Sequence, residues 1–169
     1  LEWLSGYLAL RKLNRPADAL THFRRFRTAV YTPISLGRAG YWEGRALEVM
    51  GDAEAAKTAY ADAAKYQTSF YGLLAAEKIN APMDPSLTGT DLMVTWRGTA
   101  FSQTSVFEAA RLFHKAGQVW ETSRFLRHLS ESTAKAELVQ LGDFALSLGD
   151  PYLSVRVGKQ IAREGVVAH

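Results

Sequence analysis

The chain contains no cysteine. That excludes disulfides, thiol nucleophiles and thiolate-ligated metals, and it says nothing of compartment. No apolar run approaches the ~20 residues of a membrane span. The opening Leu1-Glu2-Trp3-Leu4 lacks the basic start and apolar run of a signal peptide. It also lacks an initiator methionine, which predicts a piece of a longer protein or a processed form. Strand-type alternation is nearly absent. No Gly-x-Ser-x-Gly elbow and no glycine-rich phosphate loop are present. The histidines, His22, His114, His128 and His169, stand at no metal-ligand spacing with a carboxylate, so no metal and no cofactor are expected. Glu43, Glu48, Glu54 and Glu77 fall in helical contexts and read as solvated side chains rather than a catalytic carboxylate pair.

What is present describes an ordinary globular chain. It has 169 residues, 47% hydrophobic and 22% charged, enough for one domain with a core. The net charge of +3 suits an anionic polymer without requiring one, and it does not call for nucleic acid.

Helical periodicity runs almost throughout. Trp3, Leu4, Tyr7 and Leu8 share a face of a first helix ending near Asn14. Pro16 opens a second, with Ala19, Leu20, Phe23, Phe26 and Val30 as its stripe. Thr32-Pro33 breaks it. Leu36, Ala39, Ala46, Leu47 and Met50 line a third, closed by Gly51, and Asp52 caps a fourth running to about Tyr66. Thr68 or Ser69 caps a fifth, through Ile79. From Ala81 to about Ala100 the pattern fails, because Pro82, Pro85, Gly89 and Gly98 interrupt it. It resumes with Val106, Ala109, Ala110, Phe113 and Ala116, ending at Gly117. Another helix carries Trp120, Phe125, Leu126 and Leu129. The next holds Leu138, Leu141, Ala145 and Leu148, closed by Gly149. Asp150-Pro151 opens the last, with Leu153, Val157 and Ile161, and Gly165 stops it.

Helix-ending turns fall at Asn14, Gly51, Gly117 and Gly149, spaced 37, 66 and 32 residues apart, the middle interval being two units of 33. Periods of that size belong to helical hairpins that stack because one hairpin cannot bury its face alone. The expected fold is therefore all-α: a right-handed α-superhelix or solenoid of tetratricopeptide-like hairpins, about nine to ten helices. Residues 1–80 form the first hairpins, 81–102 an irregular connector and 103–169 further hairpins.

Four segments carry a family resemblance. Glu2-Trp3-Leu4-Ser5-Gly6-Tyr7-Leu8-Ala9 opens the chain. Arg38-Ala39-Gly40-Tyr41-Trp42-Glu43-Gly44-Arg45-Ala46 is followed by Gly51-Asp52. Phe70-Tyr71-Gly72-Leu73-Leu74-Ala75-Ala76-Glu77 is the most specific, departing only at Leu73, where glutamine is frequent. Ser154-Val155-Arg156-Val157-Gly158-Lys159-Gln160-Ile161-Ala162 is the tail. Together they resemble the α-superhelical, non-catalytic region of soluble lytic murein transglycosylases. The resemblance implies a periplasmic scaffold that positions a C-terminal catalytic domain, absent here, and helps hold peptidoglycan glycan strands. The full enzyme of such a family cleaves the β-1,4 bond between N-acetylmuramic acid and N-acetylglucosamine and forms a 1,6-anhydro product. The family's catalytic Glu-Ser-x-Phe turn has no counterpart: the only Glu-Ser, Glu131-Ser132, is followed by Thr133-Ala134. This chain is thus expected to be inactive by itself, with no catalytic residue assigned. A stand-alone helical-repeat adaptor that binds a peptide or protein in a concave groove fits the same composition.

The residues to place are Tyr41, Trp42, Phe70 and Tyr71, read either as hairpin core or as an aromatic surface for sugar rings or a partner domain. Arg45 is a candidate glycan contact that also pairs within its helix. Arg38 and Arg45 have Glu43 and Glu48 within a helical turn. Trp96, in the irregular stretch, either staples that stretch to a core or meets a neighbouring domain.

Overall fold

A computed structural model describes residues 1–87 and 94–167 of the chain. Gly89, His169 and the middle of the 81–102 connector lie outside the described residues. Among the described residues every regular element is a helix: nine α-helices with short 3₁₀ turns, and no strand. None of these helices is long and apolar enough to cross a membrane.

The fold divides into two compact units, Leu1–Thr88 and Gly89–His169, each with its own apolar core. The single core expected from length is therefore two. The apolar period of the first five helices is not continuous with that of the last four, because prolines and glycines interrupt it.

The first unit comprises α1 (Glu2–Arg11), α2 (Pro16–Thr28), α3 (Pro33–Met50), α4 (Ala53–Ala63) and α5 (Phe70–Lys78), with a 3₁₀ turn at Ala64–Tyr66. Each helix packs on the next, and α3 also packs on α5. The stops lie where local chemistry puts them. Gly51 takes a left-handed φ of 81°, a conformation that costs a Cβ-bearing residue. The Asp52 carboxylate accepts from the Ala55 N–H at 3.0 Å. Of the two candidate caps for α5, Ser69 does the work: its hydroxyl accepts from the Gly72 N–H at 3.2 Å.

Three expected faces shift. On α1, Leu4 and Leu8 are exposed, and the buried positions are Gly6, Ala9 and Leu10, flanked by Trp3 and Tyr7. The cause is Gly6, where a Cβ would lie 2.6 Å from the Phe23 ring, so the phenyl sits on bare backbone. Val30 falls beyond the end of α2 and is half-buried. Met50, in the last turn of α3, is exposed.

The second unit comprises α6 (Ser105–Lys115), α7 (Val119–Ser132), α8 (Leu138–Ser147) and α9 (Pro151–Arg163). Here α6 packs on α7, α8 on α9, and α7 on α9. Asp150 caps α9, accepting from the N–H groups of Tyr152 at 2.8 Å and Leu153 at 3.2 Å. The core is built on Phe107 and Phe144, 4.6 Å apart between centroids, with Phe101 against Phe107. Trp120 lies outside it, 74% exposed. Its position on α7 is nearly opposite the buried Thr122 and Leu129, since each residue turns the helix by about 100°.

Candidate functional site

Three of the four segments that carry the resemblance meet in one cluster of rings inside the first unit, and the tail lies on α9 of the second. The close approach begins with small residues. A Cβ on Gly40 would lie 3.0 Å from that of Ala63 and 3.1 Å from the Ala59 carbonyl, and one on Gly44 would lie 2.5 Å from the Tyr60 ring. α4 therefore lies against the backbone of α3, and the large side chains are displaced to the flanks.

Trp42 is the hub. Its ring centroid lies 5.1 Å from Tyr7, 5.7 Å from Tyr41, 5.9 Å from Phe23, 6.2 Å from Tyr71 and 6.3 Å from Trp3. Tyr41 extends the cluster to Tyr71 at 5.4 Å and Tyr60 at 5.8 Å. All five helices of this unit contribute a ring. Most pairs are tilted or edge-on, the geometry that the ring quadrupole favours.

This placement sorts the aromatic candidates. Tyr41 and Trp42 are core side chains, 7% and 8% exposed. Tyr71 is half-buried at the rim, and Phe70 is exposed with its edge on Tyr71. The charged residues of the segment are placed as firmly. Arg45 donates to the Tyr41 hydroxyl at 3.1 Å and faces the Glu48 carboxylate at 3.3 Å. Lys78 of α5 reaches the same carboxylate at 2.9 Å. Arg38 instead lies over the Trp3 and Tyr71 rings, at 5.1 and 5.5 Å.

Glu43 departs from the solvated role expected of it. It is only 7% exposed, and one carboxylate oxygen is buried with no hydrogen-bond partner among the described residues. Arg27 is 3.8 Å from the other oxygen and is itself hydrogen-bonded to Asp62 at 3.0 Å. Burial pushes the Glu43 carboxyl upward, against the pull of Arg27 and Arg24. Asp62 is held low, first by its bond to Lys65 and then by Arg27. A raised folded-state pKa means that Glu43 holds its proton more tightly folded than unfolded, so stability falls as pH rises above its ordinary 4.5. Glu43→Gln is expected to raise stability by about 1 kcal/mol at neutral pH, because Arg27 keeps Asp62 as partner and no charge is orphaned. The gain disappears below 4.5, where both states are protonated. Urea unfolding at the two pH values reads this, and a variant less stable at pH 7 contradicts it.

Trp96 belongs to the second unit. Its ring packs 5.3 Å from both Phe107 and Phe144, and its backbone N–H donates to Asp143 at 3.1 Å. It staples the irregular stretch to that unit's core, with the Arg97 guanidinium 4.6 Å above the ring.

No family model, curated protein or solved structure matches the chain. The resemblance therefore rests on the quoted residues, of which Tyr41 and Trp42 have a packing role.

The remaining polar candidates are dispersed. His22 pairs with Glu2 at 2.7 Å, tying α2 to α1. Glu131 is exposed on α7, 3.8 Å from Arg127. Among the described residues, no three His, Asp or Glu side chains converge as a metal site would need. Sequence reasoning missed the phenylalanine core of the second unit. It also missed a row of cations on α9 whose spacing was readable: Arg156, Lys159 and Arg163 recur at intervals of three and four.

Proposed function

We propose that this chain is a non-catalytic superhelical scaffold of a periplasmic peptidoglycan lytic transglycosylase. It positions a catalytic domain carried elsewhere in the parent protein and holds glycan strands. The supporting observation is that the two most specific resemblance segments, Arg38–Ala46 and Phe70–Glu77, meet through Tyr41, Trp42 and Tyr71. Residues that pack helix against helix at backbone distance specify a stiff stacked-hairpin framework, which is what a strand-holding scaffold needs. Stacking of successive helices within each unit is compatible with a superhelix.

A second reading, a helical-repeat adaptor for a peptide, is favoured by the exposure of Phe70 and Leu73 three residues apart on α5. One titration separates them. Soluble uncrosslinked glycan strands, followed by thermophoresis, are expected to bind saturably, with no new anhydro-muramyl ends formed. Absence of binding removes the strand-holding role, and appearance of anhydro ends removes the non-catalytic one.

A further inference from the structure

The second unit carries a groove of about 610 Å³ between α7 and α9. Its floor is apolar, formed by Leu126, Leu153 and Val157. Its two walls differ. The α7 side offers the hydroxyls of Ser123 and Ser130 beside Arg127, while the α9 side is a rail of cations. Among the described residues, no aspartate or glutamate lines the groove.

The rail follows from sequence spacing. Tyr152, Arg156, Lys159 and Arg163 recur at intervals of four, three and four, which sets them along one stripe of α9. The next stripe, Leu153, Val157 and Ile161, is the buried one. Like charges three and four residues apart weaken a helix. Two cations elsewhere in this unit have acids one turn away, in Arg111–Glu108 and Arg124–Glu121. On α9, Arg156 donates to the Tyr152 hydroxyl at 3.2 Å and Arg163 to the Gln160 side chain at 3.4 Å, both neutral partners. Among the described residues Lys159 has no ion pair, and across the groove Arg127 faces a carboxylate, Glu131, at 3.8 Å.

Beside the rail stand two exposed rings. Trp120 is 74% exposed and Tyr152 42%, edge-on to each other at 6.5 Å. An exposed indole face next to unpaired cations suits a ligand with an apolar ring face and anionic substituents.

We propose that the α7–α9 groove binds a carboxylated carbohydrate, with a sugar face on Trp120 and Tyr152 and its carboxylates on Arg156, Lys159 and Arg163. Arg156 and Arg163, seven positions apart, are separated by about 10 Å along the helix, the length of a disaccharide. A nucleic acid, charged along its whole backbone, would leave the neutral serine wall without a purpose. The inference deepens the scaffold reading and rests on it for the identity of the polymer, a peptidoglycan glycan stripped of its stem peptides so that the lactyl carboxylates are free.

The test uses the whole chain with an oligogalacturonate as the carboxylated probe, a chitooligosaccharide as the neutral one and an oligothymidylate as the phosphate one. The variants are Trp120→Ala and the double substitution Arg156→Gln/Lys159→Gln, all at exposed positions. Unchanged circular-dichroism melting establishes that they fold. Each variant is expected to bind oligogalacturonate about tenfold more weakly, the loss of one or two charge-assisted or stacking contacts. Equal binding by the variants, or tighter binding of oligothymidylate at the same salt, overturns the proposal. Pelleting of the variants with peptidoglycan sacculi tells the two readings apart. If oligogalacturonate binding weakens but the wild type never pellets, the groove stands and the transglycosylase reading falls. If the variants bind oligogalacturonate as the wild type does while both pellet, the groove assignment falls and the scaffold reading stands.

Discussion

Gly72→Ala is expected to destabilise the first unit by about 3 kcal/mol, at the upper end of what overpacking costs. A Cβ at this position would collide with the backbone carbonyl of Tyr66. That oxygen cannot retreat easily, because it accepts both the Ser69 backbone N–H at 2.9 Å and the Ser69 hydroxyl at 2.8 Å. The same hydroxyl caps α5 through the Gly72 N–H. Relieving the clash therefore means breaking the cap or lifting α5 away from the 3₁₀ turn, and either one moves Tyr71 off Tyr41 and Trp42. Chemical denaturation followed by far-ultraviolet dichroism measures the effect. A loss below about 1 kcal/mol, the level of an average substitution, contradicts the packing described.

Trp42→Ala is expected to cost about 4 kcal/mol, within the range for deleting a large buried aromatic. The indole touches rings from α1, α2 and α5 as well as its neighbour Tyr41. Its removal leaves a space that no one helix can fill without giving up its other contacts. Trp42→Phe keeps a ring in the cluster and is expected to lose less than half as much. Equal losses for the two substitutions would contradict the account in which ring packing holds the cluster.

Elements whose signals are local were readable in advance. The turns at Gly51-Asp52, Gly117 and Gly149-Asp150-Pro151 depend on a left-handed backbone, a carboxylate cap and a fixed proline φ, all written in adjacent residues. What depended on a distant partner was not readable. The burial of Glu43 results from helices packing around it, with Arg27 and Asp62 approaching from α2 and α4. The rotation of α1 depends on a phenylalanine in α2 settling on Gly6. Phe107 and Phe144 pair across α6 and α8, and no periodicity within either helix reports that. Trp120 misled for the opposite reason: residue type argued for the core, while its angular position on α7 argued for solvent. On α9 the apolar line through Leu153, Val157 and Ile161 drew the reading, and the cationic line one step round the helix went unread.

The candidate site shows the same division. Tyr41 and Trp42 were singled out by residue type and setting, and their burial makes them joints of the framework. The exposed aromatic and cationic surface lies on α7 and α9, outside the segments where the resemblance is most specific.

Sedimentation of the chain with purified insoluble peptidoglycan sacculi tests the central claim most directly. The scaffold account predicts that the protein pellets with the sacculi in a salt-sensitive manner, while the supernatant gains no anhydro-muropeptides. Protein that stays in the supernatant at low salt, or soluble anhydro-muropeptides released in its presence, would contradict it.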